Sequence, residues 1–286
     1  MAINLAENYS KKVVERFYTD SVILGKTSKE FDWDGLKSIK VYSINTVDPT
    51  DYARPTTDTN SGASGATNFM SRYGATYEIG DTIQTMTITQ DKAVSMSVDK
   101  GNNTQQMMVK NAGKVVSREL REKFIPMFDK YALSVWATNA GTTLTAGALT
   151  KANIVEKISD AVTALINAET TIDDAYCYIG ATAFAKLVLS PEFLNVDKLG
   201  EKALDKGVLG HVRGLKIVQV PDSYMPSGVN FLVCKKSCVL APTKIRDMKI
   251  HEDAPGISGA LMEIRWMYDA FVLDAKNKGV VVQKAA

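Results

Sequence analysis

Apolar residues along the chain follow two periods, and one long stretch follows neither. Leu5, Tyr9, Val13 and Phe17 recur at i, i+4 spacing with Lys11, Lys12 and Arg16 on other faces, which predicts a short amphipathic helix over residues 5–18. "GKTSKEFDWDGLKS" breaks that pattern with glycine and charge, so the segment reads as an arm or as an edge helix on its own domain. "SIKVYSI", Ser38 to Ile44, is β-branched and aromatic and predicts a strand. "DTIQTMTI" and "KAVSMSV" predict two more, joined by the polar "TQD". In the second, Val94, Met96 and Val98 alternate with Ala93, Ser95 and Ser97, giving one apolar and one small, wet face.

The aperiodic stretch is "RPTTDTNSGASGATNFMSRYG", Arg54 to Gly74. Structureless connections beyond about 12–15 residues are uncommon within compact domains and are usually functional or disordered. Threonine, serine, glycine, asparagine and alanine dominate it, so it has little apolar area with which to pack on its own domain. The region therefore reads as a set of strands from which a long hairpin-like excursion projects.

"KGNNT", Lys100 to Thr104, offers turn and cap residues before a long helical pattern. Met108, Ala112, Val115, Val116, Leu120, Phe124, Met127, Phe128, Tyr131, Val135 and Trp136 follow helical steps. A helix from Thr104 to Thr138 would be roughly 50 Å long. Pro126 removes a hydrogen bond to the Glu122 carbonyl, which predicts a kink or short break. "NAGTTLTAGALT" marks a domain boundary, and Thr150 is placed to cap a helix striped by Ile154, Ile158, Val162 and Leu165. A buried strand, "AYCYIG", a helix, "ATAFAKLVLS", and strands in "RGLKIVQVPD" and "VNFLVCKK" complete a small α/β layer. The C-terminal stretch holds three short strand patterns, in one of which Met262, Ile264 and Trp266 alternate with Glu263 and Arg265.

Composition narrows the function classes. With 286 residues, 45% hydrophobic and 23% charged, the chain has globular composition. A net charge of +2 is no electrostatic footprint for nucleic acid, and basic residues form no block interleaved with aromatics. Absence of a long apolar run and of a signal-like N-terminus reads as a cytoplasmic protein with no membrane span. Cys177, Cys234 and Cys238 are expected to be buried thiols. The Cys234/Cys238 pair lacks the further close ligands of a zinc site, His211 and His251 stand apart, and His251-Glu252-Asp253 reads as a solvated turn. "SGASGAT" lacks phosphate-cradling spacing and "GISG" is no nucleophile elbow. The expectation is no enzyme, metal or cofactor, with function carried by surfaces.

The order of parts, together with "MSRYG", "FIPMFDKYALS", "KIVQVPDSYMP" and "RWMYDAFVLDAKNKGVVV", resembles the tailed-bacteriophage major capsid proteins of the HK-ninety-seven-like fold, over nearly the whole chain. The resemblance implies an α+β fold: an N-terminal arm (1–36), an extended E-loop with adjoining strands (37–99), a P-domain spine helix (100–145), an A-domain (146–242) and return strands of the P-domain (243–286). It implies self-assembly into hexamers and pentamers of an icosahedral shell around double-stranded DNA, held by non-specific contact, in a virion capsid assembled in the host bacterial cytoplasm. Portal and, where one exists, decoration protein are implied partners; because the arm begins almost at Met1, a scaffolding protein is expected to be separate. In this fold the E-loop lies across a neighbouring subunit, so Arg54, Arg72, Tyr73 and Glu78 are the expected inter-subunit contacts. A solvated charge of this kind contributes about 0–1 kcal/mol, so the shell sums many weak contacts. No Lys–Asn cross-link is expected, since no catalytic carboxylate matches the family's. Rival readings are an encapsulin-like nanocompartment shell and a small-molecule enzyme seated in the α/β layer.

Overall fold

The computed structural model describes residues 21–31, 33, 38–49, 51–52, 76–105, 111–190, 208–252 and 254–285. The amphipathic pattern over 5–18 lies outside them, as does the polar stretch from Arg54 to Gly74. Contacts divide the chain into a unit of residues 39–86 and a larger unit of residues 1–38 and 87–286.

In the smaller unit, β1 (Ser38–Ile44) and β2 (Asp81–Thr87) form a two-stranded sheet. The Asn45 N–H donates to the Gly80 carbonyl at 3.0 Å, and the Thr82 hydroxyl donates to Asn45 Oδ1 at 3.2 Å.

The larger unit contains a three-stranded and a six-stranded sheet bridged by one long helix, and a short antiparallel pair of β9 (Val239–Leu240) with β12 (Phe271–Val272). β3 (Gln90–Asp99) pairs antiparallel with β11 (Gly259–Tyr268), and β11 with β10 (Thr243–His251). The alternation predicted for β3 and β11 holds: Met262, Ile264 and Trp266 are buried, while Glu263 and Arg265 are exposed. A short helix, α1 (Lys100–Gln105), follows β3.

The expected helix from Thr104 is divided, because Asn111 is extended and its Oδ1 accepts the Lys114 N–H at 3.4 Å, starting α2 (Ala112–Glu119). A π-helical turn, Leu120–Phe124, then leads directly into α3 (Ile125–Thr138). Ala112 to Thr138 thus runs as one helical rod of roughly 40 Å. In place of a break at Pro126, the Ile125 N–H bonds the Leu120 carbonyl five residues back. The widened turn lies where the proline removes a donor, and the helix continues beyond it.

The second sheet has six strands in the order β4 (Thr142–Leu144), β13 (Val280–Lys284), β8 (Val229–Lys235), β5 (Ala175–Gly180), β7 (Leu215–Val220) and β6 (Val208–Val212). β13 holds most of the C-terminal valine run, yet it pairs with β8 and β4 here. Side chains alternate between two cores. Tyr178, Leu232, Val280 and Val282 share a core with Leu133 and Trp136 of α3. Cys177, Ile179, Phe231, Val233 and Val281 share one with α4 (Ile154–Asn167) and α5 (Ala181–Val188). The predicted stripe Ile154, Ile158, Val162, Leu165 is fully buried. Asn153, not Thr150, holds the N-cap position of α4; Thr150 instead donates its N–H to Asn153 Oδ1 at 2.7 Å.

The other half of the rod covers the three-stranded sheet. Phe124 and Phe128 lie 5.8 and 5.4 Å from Trp266, and Phe128 meets Tyr268 edge-on at 5.3 Å. Burying each such ring stabilises the fold by about 1.5–3 kcal/mol.

Candidate assembly surfaces

The sheet of the smaller unit is short, yet it carries large apolar side chains in water. Tyr42, Ile44, Tyr77, Ile79 and Ile83 are exposed, Ile44 and Ile79 by 70% and 67%. A lone two-stranded ribbon is marginal in water, and contiguous exposed apolar surface on a soluble protein marks an interaction site. Glu78, the one predicted contact residue among those described, lies exposed between Tyr77 and Ile79. Arg54, Arg72 and Tyr73 lie outside the described residues, so the structure does not bring the four together.

In the larger unit, β10 leaves an apolar strip uncovered. Met248 pairs with Ile264 and Ile250 with Met262, so they belong to the face on which the rod packs. The rod covers Ile264 and Met262, while Met248 and Ile250 stay about half exposed. A shallow cleft lined by Leu120, Ile125, Met248, Ile264, Arg265 and Trp266 opens beside the π turn. The opposite face is a charge ladder: Arg265 binds Asp91 through two nitrogens at 3.1 and 2.6 Å, and His251 lies 3.5 Å from Glu263. This bond holds the Asp91 carboxyl below its ordinary range. His251 is thus an exposed strand-end residue paired across the ladder.

Two buried carboxylates fix the points where chain segments join the rod. Asp269, between β11 and β12 (Phe271–Val272), accepts the Thr89 N–H at 2.8 Å, the Thr89 hydroxyl at 2.9 Å, the Tyr131 hydroxyl at 2.8 Å and the Ala270 N–H at 2.8 Å. Thr89 directly precedes β3, so this knot ties the start of that strand to α3. Burial, and then the bond to Asp269, raise the Tyr131 hydroxyl. Asp129 of α3 accepts the Ser21 hydroxyl at 2.8 Å and the Val22 N–H at 2.9 Å. The sequence reading missed both, although Asp129 stands four residues after Ile125 and four before Leu133, on the apolar stripe itself.

The α/β layer offers the place to look for a small-molecule site. At the carboxyl ends of the parallel strands β5 and β7, where such folds bind ligands, a crevice is lined by Gly180, Thr182, Lys186, Asp222 and Asn230 among others. Asp222 fills its polar centre by accepting the Thr182 N–H and, in a short bond, the Thr182 hydroxyl. A Cβ on Gly180 would collide with the same carboxylate. Thus the first turn of α5 is capped by the protein's own carboxylate, which takes up the N–H that a ligand anion would need. Lys186 donates to the Leu149 carbonyl and Asn230 to the Gly147 carbonyl.

All three cysteines are buried free thiols, and burial pushes Cys177 up to about 12. Among the described residues no group of three or more His, Cys, Asp or Glu side chains is placed to hold a metal. No described helix is long and apolar enough to cross a membrane.

No protein-family model matches the sequence, and no curated protein does so. Solved structures do. A structure from Mycobacterium phage Che8 superposes with a TM-score of 0.76 at 18% identity, covering 99% of this chain and 98% of that one. The capsid structure of cyanophage P-SCSP1u gives 0.75 at 16% identity, with 99% and 93% covered. The mature capsid of bacteriophage PhiM1 gives 0.70 at 12% identity, with 99% and 92% covered. The match runs from end to end of the chain: it has the HK-ninety-seven-like fold of tailed-phage capsids.

Proposed function

We propose that the protein is the major capsid protein of a tailed bacteriophage, which self-assembles through many weak contacts into an icosahedral shell around double-stranded DNA. The observation that carries this reading is the end-to-end likeness to phage capsid structures, over 99% of the chain. The exposed apolar ribbon supports it independently. Ile44, Ile79 and Ile83 lack cover among the described residues, and a second copy supplies it if the ribbon lies across the Met248–Leu120 strip of a neighbour. Arg54, Arg72, Tyr73 and Glu78 belong to that same excursion and are assigned to the contact. The reading gives the chain no catalytic role. Its partners are other copies of itself, a separate scaffolding protein, a portal and a decoration protein where one exists. Its place is the virion, after assembly in the host cytoplasm.

Electron microscopy of the purified full chain, alone and with the phage scaffold, tests the reading. Closed shells, or capsomers and irregular polymers without scaffold, are expected. A protein that stays monomeric across concentration and salt overturns it. Shells that enclose a dedicated protein cargo and no DNA would establish the nanocompartment instead.

A further inference from the structure

Residues 21–30 lie against the rod without regular secondary structure. Val22 and Ile23 are buried, at 6% and 1% exposure, whereas Leu24 points into solvent at 70%. Farther along, the Ser28 N–H reaches the Val239 carbonyl at 2.9 Å. The first tether is Asp129. Its carboxylate is fully enclosed, yet both its donors, the Ser21 hydroxyl and the Val22 N–H, are neutral. Among the described residues no ion pair forms on it. The Lys26 ammonium is bonded to the Val22 carbonyl at 2.7 Å and acts on Asp129 only through space.

A dry site with two neutral donors is a poor place for a full negative charge and a better one for a carboxylic acid. A neutral carboxyl still accepts from the Val22 N–H and can donate to the Ser21 oxygen. Exposed to water in an undocked strap, the same group would ionise easily. We propose that the Ser21–Ser28 strap is a proton-tightened clip on the rod: it docks more firmly when Asp129 is neutral and loosens when Asp129 is charged.

Linkage sets the direction. Burial raises the docked carboxyl from its ordinary 3.8 to about 6, against the bonds from Val22 and Ser21 and the charge of Lys26. A raised value means that the docked state binds the proton more tightly than the released one. Docking therefore strengthens as pH falls through about 6 toward 3.8, and weakens as pH rises. This is opposite to the usual paired aspartate. Other groups facing the site do not share the window. Burial raises Tyr178 and Cys234 of the sheet well above their ordinary values, and the Tyr178 hydroxyl has no partner among the described residues. Lys26 is lowered by its own burial. Lys130, next to Asp129 on α3, lies over the Tyr224 ring at 5.4 Å.

The clip does not depend on the capsid reading, since it concerns one chain. Hydrogen exchange of the full chain, read by mass spectrometry at pH 7, 6 and 5 and corrected for intrinsic rates, tests it with α4 peptides as internal reference. The opening constant of the 21–28 peptides is expected to fall about tenfold from pH 7 to pH 5. Asp129→Asn should remove that dependence and give at pH 7 the protection that the unaltered chain reaches at pH 5. Lys26→Met, which removes the opposing charge, should move the midpoint to higher pH and keeps the test open if the asparagine variant fails to fold. Strap exchange that is flat or faster at low pH overturns the proposal, as does an Asp129→Asn chain with an unchanged profile or a Lys26→Met chain with an unmoved midpoint.

Discussion

Asp269 and Asp129 are buried carboxylates on the same rod, but their donors differ in number. Among the described residues four hydrogen bonds converge on Asp269, whereas Asp129 receives two. A well-solvated charge inside a protein is an anchor, and removing it strands its donors. Asp269→Ala leaves the Thr89 and Ala270 N–H groups and the Tyr131 hydroxyl without an acceptor, and should cost about 3 kcal/mol or more. Tyr131→Phe removes one donor and leaves the carboxylate three others, so about 1–2 kcal/mol is expected. Urea denaturation of unassembled subunits measures both. Equal costs would show that Asp269 acts mainly through Tyr131 and leaves the start of β3 unheld.

At the scale of elements, the rod is the member that the three-stranded and six-stranded sheets share, and the two ends of its π turn are buried to different degrees. Phe124 is 5% exposed and packs on Trp266, while Leu120 lies at the edge of the open cleft. Phe124→Ala should therefore cost about 3–5 kcal/mol, from lost burial plus the cavity left among Trp266 and its neighbours. Leu120→Ala empties a site that already opens to water, so less than about 2 kcal/mol is expected in the subunit. If the strip is a subunit contact, Leu120→Ala should still weaken assembly. Denaturation of the subunit and particle counts by microscopy separate the two effects. A Phe124→Ala subunit as stable as the parent would show the rod's packing face to be misassigned.

For the whole molecule, the ribbon proposed to contact a neighbour belongs to the smaller unit, whereas the two main cores belong to the larger one. Ile44→Asp combined with Ile79→Asp puts charge on two positions that are already solvated. The change should leave the larger unit's stability within about 0.5 kcal/mol. The same charges, buried against a neighbour, would each be uncompensated, so few or no closed particles are expected. A melting curve with particle counts checks both halves. Abundant normal shells would show the ribbon to be external decoration, and an unfolded subunit would place it in the monomer's own core.

Local periodicity was enough to locate β3, β11, α4, β5 and α5, because period 2 or 3.6 states which residues share a face. The reading of the aperiodic stretch from Arg54 to Gly74 as an excursion falls outside the described residues. Periodicity does not state which strand lies next to which. β2 and β3 are separated by two residues in sequence yet belong to different sheets, and the valines of β13 pair with β8 although residues 236–279, with β10, β11 and β12 among them, lie between the two strands in sequence. Cap geometry at Asn111 and the π turn before Pro126 depend on backbone angles that composition leaves open. Of the candidate contacts, Glu78 was legible only as a charge in a loop; the exposed isoleucines beside it emerge once β1 and β2 are paired and no described residue covers them. Asp129 is the sharpest case. The chain alone placed an aspartate on an apolar stripe, but its environment was decided by residues 107 and 108 positions away folding over it and excluding water. Charge state depends on solvation, and solvation of a buried group is a property of the folded whole.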